Sequence, residues 1–325
     1  MDDFVAVLTL GGTISMTGSG GVTPTLGADE LLAAVPSLRD GPPVTGRSLM
    51  RKPGADLTFE DLELVAAAAR EALEHGARGV VVVQGTDTIE ETAFTLDLML
   101  GDVEAPVVVT GAMRNPTLPG ADGPANIHAA VHCAASSELR GLGVTVAMSD
   151  TIHAAARVQK RHASLTSAFQ SVPHGPVGWF QEDRPVIVDR SRTRFDVPPP
   201  PGRRVEVPLL TVTLDPSPAV LDAVLGTRPD ALVVEAFGVG HVPSVLADLL
   251  VDAAGSLPVV LATRTRGGSV HRRTYGFVGS ERYLLEGGLI SAGWLDPIKA
   301  RILAAVALRN GSTDLAAVFA PVVPG

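Results

Sequence analysis

The sequence predicts an α/β protein: a larger N-terminal parallel-sheet domain with helices on both faces, plus a smaller C-terminal α/β domain. Three observations predict it. Short, nearly continuous Val-rich runs recur, as expected of strands buried on both faces of a parallel sheet. Segments of helical period lie between them. Near residue 200 the pattern is interrupted by Pro198-Pro199-Pro200-Pro201-Gly202, a stiff, extended stretch suited to a linker. The expected boundaries are therefore 1–190 for the N-terminal domain, 191–207 for the linker and 208–325 for the C-terminal domain.

Element by element, Val5–Leu10 reads as a buried strand ended by Gly11-Gly12. From Thr58 the period becomes helical, with Leu62, Val65, Ala69 and Leu73 on one face. Thr58-Phe59-Glu60-Asp61 resembles a capping box, with aspartate as the third residue after threonine. That helix is expected to stop at Gly76, before a strand over Gly79–Val83. Thr88-Ile89-Glu90-Glu91 also reads as a capping box, opening a helix through Leu100. Ala105–Thr110 and Val144–Met148 read as strands and Asn126–Ala135 as a helix. Beyond the linker, Leu209–Leu214, Ala231–Glu235 and Pro258–Thr263 restart the strand pattern, and Lys299–Arg309 reads as a closing amphipathic helix.

Composition narrows the function. The chain has 325 residues, 46% of them hydrophobic and 19% charged, enough for a real core and unlike a disordered chain. A formal charge of −9 suits phosphate backbones poorly, so nucleic acid is not an expected partner. No run of eighteen apolar residues occurs, so no membrane span is expected. The start, Met1-Asp2-Asp3-Phe4, lacks the basic segment of a secretory signal. With Cys133 the only cysteine, this points to a cytoplasmic location without disulfides or thiolate metal clusters. Of 26 lysines and arginines only Lys52, Lys160 and Lys299 are lysine, which adds slight weight to a site that specifically wants an ammonium at one of them.

In an open parallel sheet, ligands bind beyond the carboxyl ends of the strands, so candidate residues follow the strands. After the first strand, Gly11-Gly12 permits a tight turn that presents the hydroxyl of Thr13, either as a nucleophile or as a simple capping group. After the strand ending at Val83 comes Gln84-Gly85-Thr86-Asp87-Thr88. A hydroxyl and a carboxylate there sit just ahead of a helix N-terminus, either to hold a substrate group or only to satisfy the turn. His128 and His132 are four apart on a helix but lack an intervening glutamate and a third ligand, so a packing role is expected and no metal. His271-Arg272-Arg273 reads as a solvated turn, and Lys299 and Arg301 as solvating the outer face of the last helix.

Taken together, the segments Gly11-Gly12-Thr13-Ile14 and Gln84-Gly85-Thr86-Asp87-Thr88 resemble the paired signature of the bacterial-type L-asparaginases, the asparaginase/glutaminase amidohydrolase family. Val107–Arg114, Asp122–Asn126, Arg157-Val158-Gln159-Lys160 and Asp296–Arg301 resemble further family segments in the same order, so the likeness spans nearly the whole chain. The resemblance implies hydrolysis of the side-chain amide of L-asparagine to L-aspartate and ammonia, with glutamine left open as a second substrate. It implies Thr13 as nucleophile, with Thr86, Asp87 and Lys160 as the other catalytic residues, and Asp87 paired with the substrate's α-ammonium. Gly54, Ala55, Gly85 and Ala112 would line the substrate pocket, with no cofactor and no metal. It further implies a homodimer or homotetramer in which a neighbouring protomer completes each site.

The sequence departs from the family pattern at three places. Val22 stands where the family has a tyrosine in the loop after the first strand, and the only tyrosines, Tyr275 and Tyr283, lie far downstream. Gly54-Ala55-Asp56 carries no serine where the family has one for the substrate carboxylate. The loop Phe237–Pro243 lacks asparagines often present in relatives. Two other readings stay open: a non-catalytic amino-acid binder or sensor, favoured by the absent tyrosine, and the glutaminase-like subunit of a tRNA amidotransferase. The retained Thr13, Thr86, Asp87 and Lys160 speak for an enzyme, and the early position of Gly11-Gly12-Thr13 speaks against the amidotransferase component.

Overall fold

A computed structural model describes residues 3–12, 16–17, 23–24, 27–197 and 202–324. The chain forms two compact units, Met1–Arg192 and Thr193–Gly325. The proline run 198–201 lies outside the described residues.

In the first unit, β1 (Phe4–Thr9) is followed by a short hairpin of β2 (Met16–Thr17) and β3 (Thr23–Pro24), then by helix α1 (Ala28–Ala33) and edge strand β4 (Val44–Ser48). Next come α2 (Phe59–Glu74), β5 (Ala77–Val83), α3 (Ile89–Met99), β6 (Val107–Thr110), α4 (Gly123–Ala135) and β7 (Val144–Met148). β8 (Thr151–Ala154), the hairpin of β9 (Gln159–Lys160) and β10 (Phe169–Gln170), and the hairpin of β11 (Gly178–Gln181) and β12 (Arg184–Ile187) complete it. The eight-stranded sheet has the order β12-β11-β8-β7-β6-β5-β1-β4. It is parallel from β4 to β7 and antiparallel across β7-β8-β11-β12.

The continuous apolar strands feed two cores. Ala6, Leu8, Val80, Val82, Val107 and Val109 point to one face and pack with Leu62, Val65 and Ala69 of α2 and Ala93 and Leu96 of α3. Val5, Val7, Val81, Val83 and Val108 point to the other and pack with Ile127, Ala130, Val131 and Cys133 of α4. The period-2 alternation of a strand thus requires apolar residues at every position when both faces are covered. Burial pushes the Cys133 thiol up to about 12.

The second unit holds the parallel sheet β13-β14-β15-β16, formed by β13 (Leu209–Thr211), β14 (Leu232–Ala236), β15 (Val259–Thr263) and β16 (Ile290–Ser291). α5 (Pro218–Gly226), α6 (Ser244–Ala254), α7 (Glu281–Glu286), α8 (Pro297–Arg309) and α9 (Leu315–Phe319) accompany it.

Several sequence expectations are corrected. The Thr58 capping box forms, with Asp61 N donating to Thr58 Oγ1 and Thr58 N donating to Asp61 Oδ2. The one at Thr88 does not: its hydroxyl caps no amide of α3 and turns sideways to the carbonyl of Gly54. α8 is not amphipathic but buried almost all round. Lys299 is fully buried with its Nζ 2.8 Å from Asp296 Oδ2, and Arg301 donates from Nε to the carbonyl of Val207. A paired, hydrogen-bonded cation can enter a core where an unpaired one cannot, so helical spacing alone misplaced both residues.

Candidate active site

β1 ends in Leu10-Gly11-Gly12, and both glycines have φ near +100°, at +104° and +91°. A Cβ on Gly11 would lie 2.8 Å from the Lys52 carbonyl oxygen, and one on Gly12 would overlap the backbone of Gly85. Only glycine fits at either position. Thr13, the expected nucleophile, lies outside the described residues, as does Val22.

Seventy residues on, β5 ends just before Gln84, and the chain turns through Gly85 into a 3-10 turn, Thr86–Thr88, that leads directly into α3. Thr86 is buried, whereas the Asp87 side chain is 70% exposed. Gly111, after β6, presses on the same turn, since a Cβ there would meet the Gln84 carbonyl and stand 3.4 Å from Thr86 Cγ2. Ala112 is buried beside it, and the carboxylate of Asp122 braces the next two amides, accepting from Met113 N and Arg114 N.

Lys160 arrives from the far edge of the unit on β9, held by pairing with β10 and by Arg161 N donating to the Ala168 carbonyl. Arg157, just before it, pairs with Asp189 at 2.6 Å. The Lys160 Nζ then donates to Thr86 Oγ1 at 3.0 Å and to Asp87 Oδ1 at 2.9 Å. The ammonium is mostly sheltered, with its side chain 16% exposed, while its carboxylate partner is open. The arrangement brings together three of the four expected catalytic residues.

Of the expected pocket residues, Gly85 and Gly54 pack backbone against backbone: a Cβ on Gly85 would lie 3.2 Å from Gly54 N. Gly54 is buried in the 3-10 turn Gly54–Asp56, while Ala55 is exposed. The segment leading to it is tied by Lys52, whose Nζ reaches Asp61 Oδ1 at 2.7 Å. Gln84 and Asp122, to which the sequence assigns no role of their own, and Thr88, read there as a helix cap, knit these turns together. The signal for Gln84 and Thr88 was their place beside the Gly-Thr-Asp run; nothing in it foretold their partners.

No group of three or more histidine, cysteine or acidic residues able to hold a metal occurs among the described residues. His128 donates from Nε2 to Asp183 Oδ1 and hydrogen-bonds Ser37 Oγ through Nδ1, and its ring lies 4.4 Å from that of His132, so the pair packs as expected. Burial, and then the neighbouring His128, pull the His132 pKa down. The His271–Arg273 turn is exposed. In the second unit, the loop Phe237–Pro243 is closed by a Phe237–His241 bridge, with His241 Nε2 3.1 Å from the buried Glu281.

A two-unit α/β chain with a hydroxyl, an ammonium and an open carboxylate gathered beyond the carboxyl ends of parallel strands has the layout of an amidohydrolase. The chain belongs to the asparaginase family: residues 4–193 match the model "Asparaginase, N-terminal" and residues 206–319 match "Glutaminase/Asparaginase C-terminal domain". It is 33% identical to an L-asparaginase of Bacillus licheniformis, over 95% of this chain and 97% of that one. It is 31% identical to a glutamyl-tRNA(Gln) amidotransferase component of Haloquadratum walsbyi, over 94% of this chain and 71% of the relative. Among solved structures, the probable cytoplasmic L-asparaginase of Campylobacter jejuni superposes with a TM-score of 0.86 at 28% identity, covering 98% of this chain and 99% of that one.

Proposed function

We propose that the protein is an L-asparaginase that hydrolyses the side-chain amide of L-asparagine through an acyl-threonine intermediate. The observation that carries this reading is the Lys160 ammonium held between the Thr86 hydroxyl and the Asp87 carboxylate. In the proposed reaction the Thr13 oxygen bonds to the amide carbon as its proton passes toward the Thr86–Lys160 corner. The tetrahedral intermediate collapses, and the C–N bond breaks as the departing nitrogen takes a proton and leaves as ammonia. Water then attacks the ester, releasing L-aspartate and returning the proton to Thr13. Lysine suits this corner because its compact ammonium can donate to Thr86 Oγ1 and Asp87 Oδ1 at once, which a planar guanidinium fork fits less well.

Asp87 is exposed enough to meet the α-ammonium of a free amino acid, and the Gly54–Ala55 turn offers backbone to its α-carboxylate in place of the missing serine. In this reading Gly85 and Ala112, both buried, line the pocket with backbone. A homodimer or homotetramer and a cytoplasmic location belong to the same reading; the likeness to the Campylobacter jejuni protein, a probable cytoplasmic L-asparaginase, supports the latter. Among the described residues, no helix is long and apolar enough to cross a membrane. Val22 in place of the loop tyrosine favours one competing reading, a binder of amino acids without turnover.

Ammonia release from L-asparagine and L-glutamine, measured for the wild type and for Thr13→Ala, Thr86→Ala and Lys160→Ala, tests the proposal. Release from asparagine that is lost in all three variants supports it and makes the tyrosine dispensable. Binding without release leaves the binder. The glutamine arm measures the cost of one added methylene, worth about 1–3 kcal/mol.

A further inference from the structure

Gln84 follows β5 directly beneath the Gly85 turn and is buried. Its Nε2 donates to the Gly85 carbonyl at 3.1 Å and to Thr88 Oγ1 at 3.2 Å. Thr88 Oγ1 donates in turn to the Gly54 carbonyl at 2.9 Å. The proton directions agree along the chain. Both carbonyls can only accept, so the amide nitrogen must face Gly85, and the single hydroxyl proton of Thr88 goes to Gly54. The space around the relay is tight. A Cβ on Gly54 would stand 3.1 Å from the Gly85 oxygen and 3.3 Å from Thr88 Oγ1. Thr88 occupies a helix N-cap position yet caps nothing there, so its hydroxyl is committed to a link between two loops.

We infer that the Gln84–Thr88–Gly54 relay is a positioning device that sets the distance between the Gly54 turn and the Thr86–Asp87 corner. The inference rests on the reading of Gly54 as the carboxylate-binding turn and Asp87 as the ammonium-binding group. Both groups of the substrate hang from one carbon, so the two protein elements must keep their spacing to within about 0.5 Å. β5 fixes one end of the relay, and Gly54 stands on a loop also held by the Lys52–Asp61 pair and by Lys52 N donating to the Leu10 carbonyl. The relay therefore acts on recognition of the α-carboxylate, through Gly54.

Thr88→Val keeps the shape and removes both Thr88 hydrogen bonds, Thr88→Ser restores the hydroxyl, and Gln84→Met removes the Gln84 bonds to Gly85 and Thr88 but leaves the Thr88–Gly54 link. Steady-state kinetics would use L-asparagine and 3-aminopropanamide, which is asparagine without its carboxylate. Thr88→Val is expected to raise KM for L-asparagine about tenfold or more while kcat stays within about threefold, as loss of ground-state binding requires. The loss on 3-aminopropanamide should be at least several-fold smaller, and Thr88→Ser should return KM to within about threefold of wild type. Gln84→Met should move KM in the same direction and by less. An unchanged KM, no rescue by serine, or equal losses on both substrates would overturn the inference. If the wild type releases no ammonia, the proposed function falls, and calorimetric affinity for L-asparagine decides the relay. Weaker binding by Thr88→Val with recovery in Thr88→Ser supports it, and equal affinity or no binding to wild type overturns it.

Discussion

Two lysine–aspartate pairs of nearly the same length do opposite things in this protein. Lys160 and Asp87 stand 2.9 Å apart in the first unit, and Lys299 and Asp296 stand 2.8 Å apart in the second. Distance does not separate them, but surroundings do. Asp296 is the N-cap of α8: Oδ1 accepts from Lys299 N and Oδ2 from Lys299 Nζ, with the side chains 4% and 0% exposed. That carboxylate is fully committed and closed to any ligand. Asp87 leaves 70% of its side chain open, and its lysine shares itself with a threonine hydroxyl. An ion pair becomes a candidate site when one partner keeps unused bonding capacity facing solvent; a closed pair only holds structure.

Substituting the two lysines breaks the comparison most directly. Lys160→Met should lower kcat on L-asparagine by roughly 10³-fold, at the upper range of acid–base assistance. Its melting temperature should fall by less than about 4 °C, because a pair with an open partner contributes little stability. Lys299→Met should do the reverse. It strands a buried carboxylate, at a cost of about 3–5 kcal/mol in a urea titration, with kcat of the folded fraction unchanged. If Lys299→Met instead lost activity at full stability, the division between open and closed pairs would be wrong.

His153 extends the closed class to a titrating group. It is buried on β8, its Nδ1 is 2.9 Å from Ser171 Oγ, and burial pulls its pKa down to about 4 from 6.5. The folded state binds the proton less readily than the unfolded chain, so this contribution is intact above pH 6.5 and is lost as pH falls from 6.5 toward 4. The loss amounts to roughly 3 kcal/mol at most. Stability of wild type and His153→Leu measured across that range should converge toward acid, with the shallower slope in the variant. Parallel profiles would show that the imidazole is not the responsible group.

Asp87→Asn carries the smallest expected effect and sharpens the account of the open pair. Loss of a charged partner for the α-ammonium should raise KM for L-asparagine about 10- to 100-fold. A fall in kcat at constant KM would mean that Asp87 serves to orient Lys160 and does not hold substrate.

Much of the fold was legible because backbone constraints leave residue-level marks. The Val-rich runs of β5, β6 and β7, short and almost continuously apolar, fit strands covered on both faces. Gly11-Gly12 and Gly85 stand out because two backbones touch there, and the touching requires glycine. Other elements left no such mark. β4, Val44–Ser48, is largely exposed and polar, and pairs with β1 without any period of its own. The antiparallel edge turns through Ser149-Asp150 and Glu182-Asp183, all at positive φ, without the Asn-Gly signal that would have announced tight hairpins. The candidate site divides the same way. Thr86 and Asp87 were visible as a strand-end motif, whereas the Thr88–Gly54 link was not, because hydrogen-bond partners 34 residues apart carry no spacing rule.

By itself, then, the sequence determined the class of fold, the strands that end at the site and the residue types waiting there, since period, glycine placement and strand-end position are local properties of the chain. Only the tertiary structure decided which polar groups are open and which are closed. Lys160 meets Asp87 across a separation of 73 positions and stays beside an exposed carboxylate, while Lys299 meets Asp296 three residues away and is sealed in the core. Burial and free bonding capacity are properties of the packed surroundings, and no local pattern encodes them.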